Sequence, residues 1–289
     1  MKTALVFGGT QFFGKHLVNG LLARGVDVTI ATRGKTPDEY GDRVQRLIVD
    51  REQKDSIREA VGDRTYDVVF DNICYSSNDA QVAVELFAGK VQRYVFTSTL
   101  SVYDLSEEAH GEADFNAREL PIKWGGKDAF GYQEGKQQAE AVFFQQSDLP
   151  VVAVRFPVVM GTDDYTKRLH WHVDRVKNGL PIGMPNPQSR QGFIHSQEAG
   201  NFLLWAATAD IAGEVNAAAS GTVTLREMMG MIEQATGQAA KVVQEFEKED
   251  RSPFGAPGSY YMSLEKAEAA GYEFTKLQEW LPKLIAELV

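Results

Sequence analysis

The stretch TALVFGGTQFFGKHLVNGLL, residues 3–22, changes its pattern midway. Residues 3–7 form an apolar run typical of a buried strand, and from residue 16 apolar side chains recur at helical spacing. A glycine-rich segment separates the two patterns. We therefore predict a strand, a tight turn and a helix at this point in the chain.

The glycine-rich turn predicts a phosphate-binding site. Such a turn lets the backbone approach a pyrophosphate closely and places the free amides of a helix N-terminus against the anion. A second apolar stretch, residues 26–31, follows at the distance that a βαβ unit requires. A simple turn would explain Gly8 but not the spacing from Gly8 to Gly14. The predicted dinucleotide-binding residues of this segment are Gly8, Gly9, Thr10, Gln11, Phe12, Phe13 and Gly14.

Apolar runs and helical patterns alternate as far as residue 155. The predicted strands are 3–7, 26–31, 43–50, 67–70, 93–98 and 150–155, and the predicted helices include 16–22, 53–61, 78–87 and the segment around residue 132. This alternation favours the α/β class, with a doubly wound parallel sheet of the Rossmann type. Ligands of such a sheet bind beyond the carboxyl ends of the strands.

Beyond Gly161 the pattern loosens into glycine, proline and polar residues. Further on, a helix is predicted at 197–209, a strand at 214–217, and amphipathic helices at 224–235 and 277–288. We predict a dinucleotide-binding domain of residues 1–161, to which 191–219 return. Residues 162–289 would mostly form a second, smaller α/β domain, with the substrate bound between the two.

Composition restricts the classes of partner. The chain has 289 residues, of which 43% are hydrophobic and 24% charged, which is typical of a globular protein. Its net charge of -10 and the lack of a basic run make nucleic-acid binding an unfavoured prediction. We expect no membrane association, no metal and a cytoplasmic location, and the single cysteine, Cys74, excludes an intrachain disulfide.

Tyr132 and Lys136 are candidate catalytic residues. Their spacing of four places a phenol and an ammonium on one face of a helix. A tyrosine that acts as a base near neutral pH needs its pKa lowered by roughly three units, on the order of 4 kcal/mol. We predict that Lys136 provides much of this lowering; the alternative is a solvated lysine beside a half-buried tyrosine.

Several motifs occur together in an order that resembles the extended short-chain dehydrogenase/reductase family, the NAD(P)-dependent epimerase/dehydratase group. They are Gly8-Gly9-x-x-x-x-Gly14, Asp50-Arg51, Thr97-Ser98-Thr99 with Val102-Tyr103, Tyr132-x-x-x-Lys136, Arg155-x-Pro157 with Gly161, and Phe193-Ile194-His195. The spelling of the glycine turn is similar to the branch that contains chloroplast stem-loop-binding proteins.

The resemblance implies a role for each matching residue. Tyr132 would exchange a proton with a substrate hydroxyl or carbonyl, Lys136 would hold the nicotinamide ribose, and Thr99 would hydrogen-bond the reacting oxygen. Asp50 would accept a hydrogen bond from the adenine amino group, and Arg51 would pack beside the ring. Thr97 and Cys74 would also lie near the cofactor, with Cys74 mainly a packing residue.

The end of the second strand indicates which nicotinamide cofactor is bound. NAD-specific relatives have an acid there for the ribose hydroxyls, whereas this chain has Thr32-Arg33 followed by Lys35. Two cations and no carboxylate favour a 2'-phosphate, so we predict NADP over NAD. The alternative is that both cations lie in solvent.

Other departures from the family pattern bear on the substrate. Leu100 and Ser101 stand where nucleotide-sugar dehydratases have an Asp-Glu pair, which argues against dehydration. Gln191 replaces the arginine that clamps a sugar-nucleotide diphosphate, although Arg190 could substitute for it. We interpret His195 as structural.

The favoured function is an NAD(P)-dependent epimerase or reductase that acts on a secondary alcohol or carbonyl of a sugar or other small metabolite. The alternatives are an RNA-binding or regulatory protein built on a dinucleotide-binding scaffold, and a cofactor-binding sensor without turnover. Family members often form dimers through two helices of the first domain, so the resemblance also implies a possible homodimer.

Overall fold

The structure is a computed structural model that describes residues 1–146 and 148–289. In chain order, its strands are β1 Thr3–Phe7, β2 Asp27–Thr32, β3 Val44–Ile48, β4 Val68–Asp71, β5 Arg93–Thr99, β6 Val151–Phe156, β7 Val158–Met160, β8 Pro181–Gly183, β9 Arg190–Gln191, β10 Phe193–His195, β11 Gly213–Asn216, β12 Val223–Thr224 and β13 Lys241–Val243. The helices are α1 Phe12–Ala23, α2 Lys54–Val61, α3 Ser77–Phe87, α4 Tyr132–Gln145, α5 Arg168–Lys177, α6 Ser196–Ala206, α7 Leu225–Thr236, α8 Glu265–Ala269 and α9 Leu277–Leu288.

In the described residues, seven parallel strands form the central sheet in the order β3-β2-β1-β4-β5-β6-β11. The strand order reverses between β1 and β4, where α/β sheets of this kind open a crevice for ligands. The predicted doubly wound parallel sheet is therefore confirmed, and the strand near residue 214 does rejoin it beside β6.

Each face of the sheet is covered by a separate apolar cluster. On one face, α1 and α6 pack together and contribute Leu17 and Phe202. On the other face, α2, α3 and α4 contribute residues such as Ile57 and Phe143. The strands supply both clusters alternately because successive side chains point to opposite sides of a sheet.

A third apolar cluster forms around α5, α7 and α9, with the short strands β8 and β10 beside it. Its members come from residues 160–285, which overlap the predicted smaller domain. The division of the chain into two domains nevertheless stays a prediction.

The structure contains a helix, α5, that sequence analysis placed in a loosely patterned region. Its buried residues are Leu169, His172, Val173 and Val176, which do follow helical spacing. A histidine occupies one of the four positions, and this weakened the apolar signal. The helix α1 also begins at Phe12, four positions before the predicted His16.

The glycine turn depends on an approach between two stretches of backbone. An ideal Cβ on Gly14 would lie 2.2 Å from the carbonyl oxygen of Gly8, which itself adopts a φ of +78°. Backbone cannot move aside as a flexible side chain can. This contact therefore requires glycine at position 14, in the first turn of the helix that follows β1.

We expect Gly14→Ala to lower the free energy of unfolding by roughly 2–3 kcal/mol, because the added methyl overpacks the turn. Gly230→Ala is the matched control, since a Cβ at Gly230 in α7 meets nothing within 4 Å. That control should stabilise the protein by about 0.5–1 kcal/mol. Urea unfolding measures both, and equal stabilities for the two variants would contradict the close contact.

Candidate functional site

Two adjoining cavities lie at the carboxyl ends of the central strands. The strand-end cavity, of about 510 Å³, is lined by residues following β4 and β5 together with α4 and the segment before α5. The glycine-turn cavity, of about 370 Å³, is lined by the turn before α1 and by the ends of β2 and β3. Tyr75 and Tyr165 line both, so the two cavities form one cleft across the point where the strand order reverses.

Most residues predicted from the sequence line this cleft. In the strand-end cavity are Phe12, Phe13, Thr97, Thr99, Tyr132 and Lys136. In the glycine-turn cavity are Gly8, Thr10, Gln11, Thr32, Arg33, Lys35, Asp50 and Arg51. Gly9, Gly14 and Cys74 are buried behind these surfaces.

The N-terminus of α1 fits a phosphate group. Within the described ranges, Gln11 at the N-cap makes no side-chain capping bond and the first turn contains no acidic residue. The first amides of the helix are therefore left without a side-chain cap, at the positive end of its dipole. Phe12, where α1 begins, adopts a left-handed φ of 53°, and such strain often accompanies a binding loop. The residues present thus fit the pyrophosphate of a dinucleotide.

Lys136 is the most constrained residue of the site. Its side chain is buried, and its Nζ donates to the carbonyl oxygens of Cys74 at 2.8 Å and Thr97 at 2.7 Å. The same ammonium lies over the rings of Tyr75 and Phe96, at 4.5 and 4.9 Å from their centroids. Burial lowers the pKa of Lys136 to about 8, even though neighbouring acidic groups oppose the change.

Tyr132 is the first residue of α4 and lines the strand-end cavity, with 57% of its surface exposed. Loss of water around its hydroxyl raises the pKa of Tyr132, while a hydrogen bond with Thr99 and the charge of Arg168 act to lower it. The predicted lowering of this pKa by Lys136 is therefore wrong for this arrangement. The physical reason is that the Lys136 ammonium is directed to two backbone carbonyls.

Thr99 lies between Tyr132 and the turn after β5. Its hydroxyl oxygen accepts a hydrogen bond from the Ser101 amide at 3.1 Å and interacts with the Tyr132 hydroxyl. Thr99 thus caps the backbone at the end of β5, as a strand-end hydroxyl can, and also contacts Tyr132. The roles of both hydroxyls in catalysis stay predictions.

Arg51 and Asp50 lie at the predicted place but make their own protein contacts. The Arg51 side chain is buried and turns inward, where its Nη2 donates to Asp71 Oδ2 at 2.6 Å and to the Asp79 carbonyl at 3.0 Å. The Asp50 carboxylate accepts a hydrogen bond from the Glu52 amide. The predicted contacts of both residues with an adenine stay predictions, and the Arg51 guanidinium is held by Asp71 rather than free to move.

Sequence analysis missed Asn72 and Tyr75, which follow β4. The Thr97 hydroxyl donates to Asn72 Oδ1 at 2.8 Å, and Asn72 Nδ2 donates to the Gly8 carbonyl at 3.4 Å. Asn72 thereby joins the glycine turn to the end of β5. The rule that ligands bind at strand ends could have identified both residues, because β4 was predicted to end next to them.

Cys74 is a packing residue in the structure. It is fully buried, and burial raises the pKa of its thiol well above the usual range. A buried neutral thiol is a poor nucleophile. Its backbone carbonyl, which accepts from Lys136, is the part of Cys74 that serves the site.

The residues considered for a diphosphate contact lie at the edge of the cleft. The Arg190 guanidinium donates to Thr222 Oγ1 through Nε and Nη2, and Arg190 does not line the strand-end cavity, whereas Gln191 does. His195 caps α6 by accepting from the Gln197 amide at 3.2 Å. This contact agrees with the structural interpretation of His195.

A polar cluster holds the segment between β7 and α5 against the first helix. Asp163 accepts a hydrogen bond from Ser196 Oγ at 2.8 Å and pairs with His16 Nε2 at 2.9 Å. The segment carries Tyr165, whose ring contacts Phe12 edge-on at 6.0 Å. Residues that are far apart in the chain thereby form the side of the cleft that carries Phe12 and Tyr165.

The described part of the chain contains no group of three or more histidine, cysteine, aspartate or glutamate side chains placed to hold a metal ion. Among the same residues, no helix combines the length and the apolar character needed to cross a bilayer.

The chain belongs to the NAD(P)H-binding family, whose model matches residues 8–180. Its fold is that of NAD-dependent epimerases. UDP-glucose 4-epimerase of Thermus thermophilus in complex with NAD is 20% identical, with a TM-score of 0.74 over 99% of this chain and 98% of that one. UDP-glucuronic acid 4-epimerase of Bacillus cereus in complex with UDP-glucuronic acid and NAD is 20% identical, with a TM-score of 0.75 over 99% of this chain and 100% of that one.

A curated relative is the chloroplast stem-loop binding protein of 41 kDa b of Arabidopsis thaliana. It is 26% identical over 199 residues, which cover 64% of this chain and 49% of that protein. The match thus spans about half the length of the relative. Together with the epimerase fold, this similarity confirms the resemblance found in the sequence.

The depressed pKa of Lys136 predicts a pH-dependent difference in stability between wild type and Lys136→Met. Between pH 8 and 10.5 the unfolded lysine is protonated and the folded one is not, so the wild type gains stability as pH rises. Relative to the variant, the gain should be about 3 kcal/mol. Urea unfolding across this range measures the gain, and Lys90→Met is the control for loss of one exposed lysine. If the difference in unfolding free energy between wild type and Lys136→Met did not change with pH, the buried charge would be contradicted.

Proposed function

We propose that this chain is an NAD(P)-dependent epimerase or reductase that acts on a secondary alcohol or carbonyl of a sugar or other small metabolite. The observation that carries the proposal is the meeting of the Tyr132 and Thr99 hydroxyls at the wall of the strand-end cavity, beside the glycine-turn cavity. Residues 162–289 would supply most of the remaining substrate contacts. The sugar class is suggested by the names of the structural neighbours.

The proton would move at Tyr132. Because the pKa of this residue is raised, its hydroxyl is protonated at neutral pH and is ready to donate to a carbonyl oxygen. The Thr99 hydroxyl would bond the same oxygen and hold it in place. In the opposite direction, Tyr132 must accept the proton, and its contact with Thr99 and the positive charge of Arg168 both favour that form.

Lys136 would act by position rather than by proton transfer to the substrate. Its ammonium joins the segment after β4 to β5, and Lys136 lines the strand-end cavity, where a nicotinamide ribose would be held. The bound cofactor supplies hydride transfer. The protein's own contribution is to orient the substrate and to supply the proton at the oxygen.

The glycine-turn cavity supports NADP as the preferred cofactor. Arg33 and Lys35 are exposed at its wall, and among the described residues neither forms an ion pair. The neighbouring acids are already paired, Asp38 with Arg46 and Glu39 with Lys15. Two free cations at the end of β2 would attract a 2'-phosphate.

The chloroplast relative is named as a stem-loop binding protein, and RNA binding is the alternative function for this chain. Backbone-directed RNA binding needs a basic surface, whereas this chain has a net charge of -10. The charge supports the enzyme over the RNA-binding alternative.

We expect Tyr132→Phe to lower kcat about 10²–10⁴-fold and to leave the Kd for NADPH nearly unchanged, because it removes only the proton donor. Turnover is measured with the substrate found by screening UDP-sugars and small carbonyl compounds. Tyr66→Phe is the matched control, since the Tyr66 hydroxyl is buried away from the cleft and has no partner in the described structure. Wild-type turnover in Tyr132→Phe would refute the assignment.

Arg33→Ala should weaken NADPH about tenfold and NADH little, because only NADPH carries the phosphate. Fluorescence titration of both cofactors measures the two Kd values. Arg24→Ala removes an exposed arginine outside the cleft and should alter neither. Equal weakening of both cofactors would show that Arg33 does not contact the 2'-phosphate.

A further inference from the structure

The strand-end cavity has an unusual charge for this protein. As far as the described residues go, its lining contains two charged side chains, Lys136 and Arg168, and no carboxylate. The chain as a whole carries a net charge of -10. A cationic cavity inside an acidic protein raises the local concentration of anions. It has little effect on neutral molecules.

Lys136 has two of its three N–H groups on protein carbonyls, and the proposed function assigns the third to the nicotinamide ribose. Its ammonium donates to two backbone carbonyls and lies against two aromatic faces. Arg168 is therefore the charged group in the lining with donors left for a substrate.

The Arg168 side chain is oriented by a short hydrogen-bonded chain. Its Nε donates to Thr166 Oγ1 at 2.9 Å, and that hydroxyl donates to Asp164 Oδ1 at 2.5 Å. The Thr166 amide donates to the same oxygen at 2.9 Å. Asp164 is buried and does not line the cavity, so it holds the arginine without closing it to an anion.

The terminal nitrogens of Arg168 remain open. Within residues 1–146 and 148–289, they donate to no protein acceptor and the guanidinium forms no ion pair. Two parallel N–H groups of this kind match the two oxygens of a carboxylate or phosphate. The positive charge of Arg168 also acts on the pKa of Tyr132, which places the guanidinium within electrostatic reach of the reacting centre.

We propose that the substrate carries an anionic group, a carboxylate or a phosphate, close to the carbon that reacts, and that Arg168 selects it. This inference rests on the proposed function, because it takes the strand-end cavity as the place where the substrate binds. It adds the substrate class, namely small anionic hydroxy or carbonyl compounds. It also makes Arg168 a specificity residue supplied by α5, a helix absent from the sequence-based picture.

Three sugars with the same ring test the proposal: glucose, glucuronate and glucose 6-phosphate. Binding to the NADP-loaded protein is measured by isothermal titration, so that no turnover is needed. We expect at least one anionic sugar to bind the wild type about tenfold or more tightly than glucose. The two anionic probes separate a carboxylate site from a phosphate site.

Arg168→Gln should remove the preference for the anionic sugar, and Arg168→Lys, which keeps the charge without the planar fork, should retain part of it. Arg24→Gln is the matched control and should bind as the wild type does. The Kd of NADPH in each variant reports that the cleft is intact. An undiminished preference in Arg168→Gln, or a wild type that binds neither anionic sugar more tightly than glucose, would overturn the proposal.

The same measurements separate this inference from the proposed function. If Tyr132→Phe abolishes turnover while the wild type shows no anion preference, the enzyme proposal holds and the role of Arg168 fails. If the anion preference is present and depends on Arg168 but Tyr132→Phe turns over normally, the anion site holds and the assignment of the proton donor fails.

Discussion

One ammonium group ties together three parts of the site. Lys136 extends from α4 and donates to the carbonyl of Cys74, in the segment after β4, and to that of Thr97, near the end of β5. A buried charge is tolerated only where hydrogen bonds replace its water, and a buried carbonyl likewise needs a donor. Each side of this contact therefore satisfies the other. Removing the ammonium would take one donor from each of these two carbonyls, at the place where the cleft opens.

The same helix is held at a second point, one turn further along. Glu140 accepts hydrogen bonds from Ser98 Oγ and from Arg155, both at the ends of neighbouring strands, and all three side chains are buried. A Cβ on Gly135 would lie 2.3 Å from the Tyr75 carbonyl, so α4 also approaches the segment after β4 very closely. These contacts fix the position and rotation of α4. Tyr132, in the first turn of α4, is thereby placed at the wall of the strand-end cavity.

The two residues of the Tyr-x-x-x-Lys pattern have other roles in the structure than the sequence predicted, because Lys136 does not lower the pKa of Tyr132. The lysine supports the strand ends, and the groups that act to lower the pKa of Tyr132 are Thr99 and Arg168. Loss of water around the Tyr132 hydroxyl outweighs them, so the phenol is the resting form. In the proposed role, a phenol that lies near a second hydroxyl and within electrostatic reach of a cation suits a reaction in which negative charge develops on an oxygen. The cation is Arg168, the first residue of α5, which lines the strand-end cavity.

Local patterns in the chain were enough for the sheet, the glycine turn and the placing of most cleft residues at strand ends. Strand runs, helical spacing and the need for glycine at position 14 depend on neighbours in the sequence, so they can be read from it. What the tertiary structure alone decided was the direction of long charged side chains. Lys136 turned to the carbonyls of Cys74 and Thr97, Arg51 turned inward to Asp71, and the charge of Arg168 came within reach of Tyr132 from another segment. Each contact joins residues distant in the chain, and a flexible side chain settles only where packing and hydrogen bonding replace its lost water.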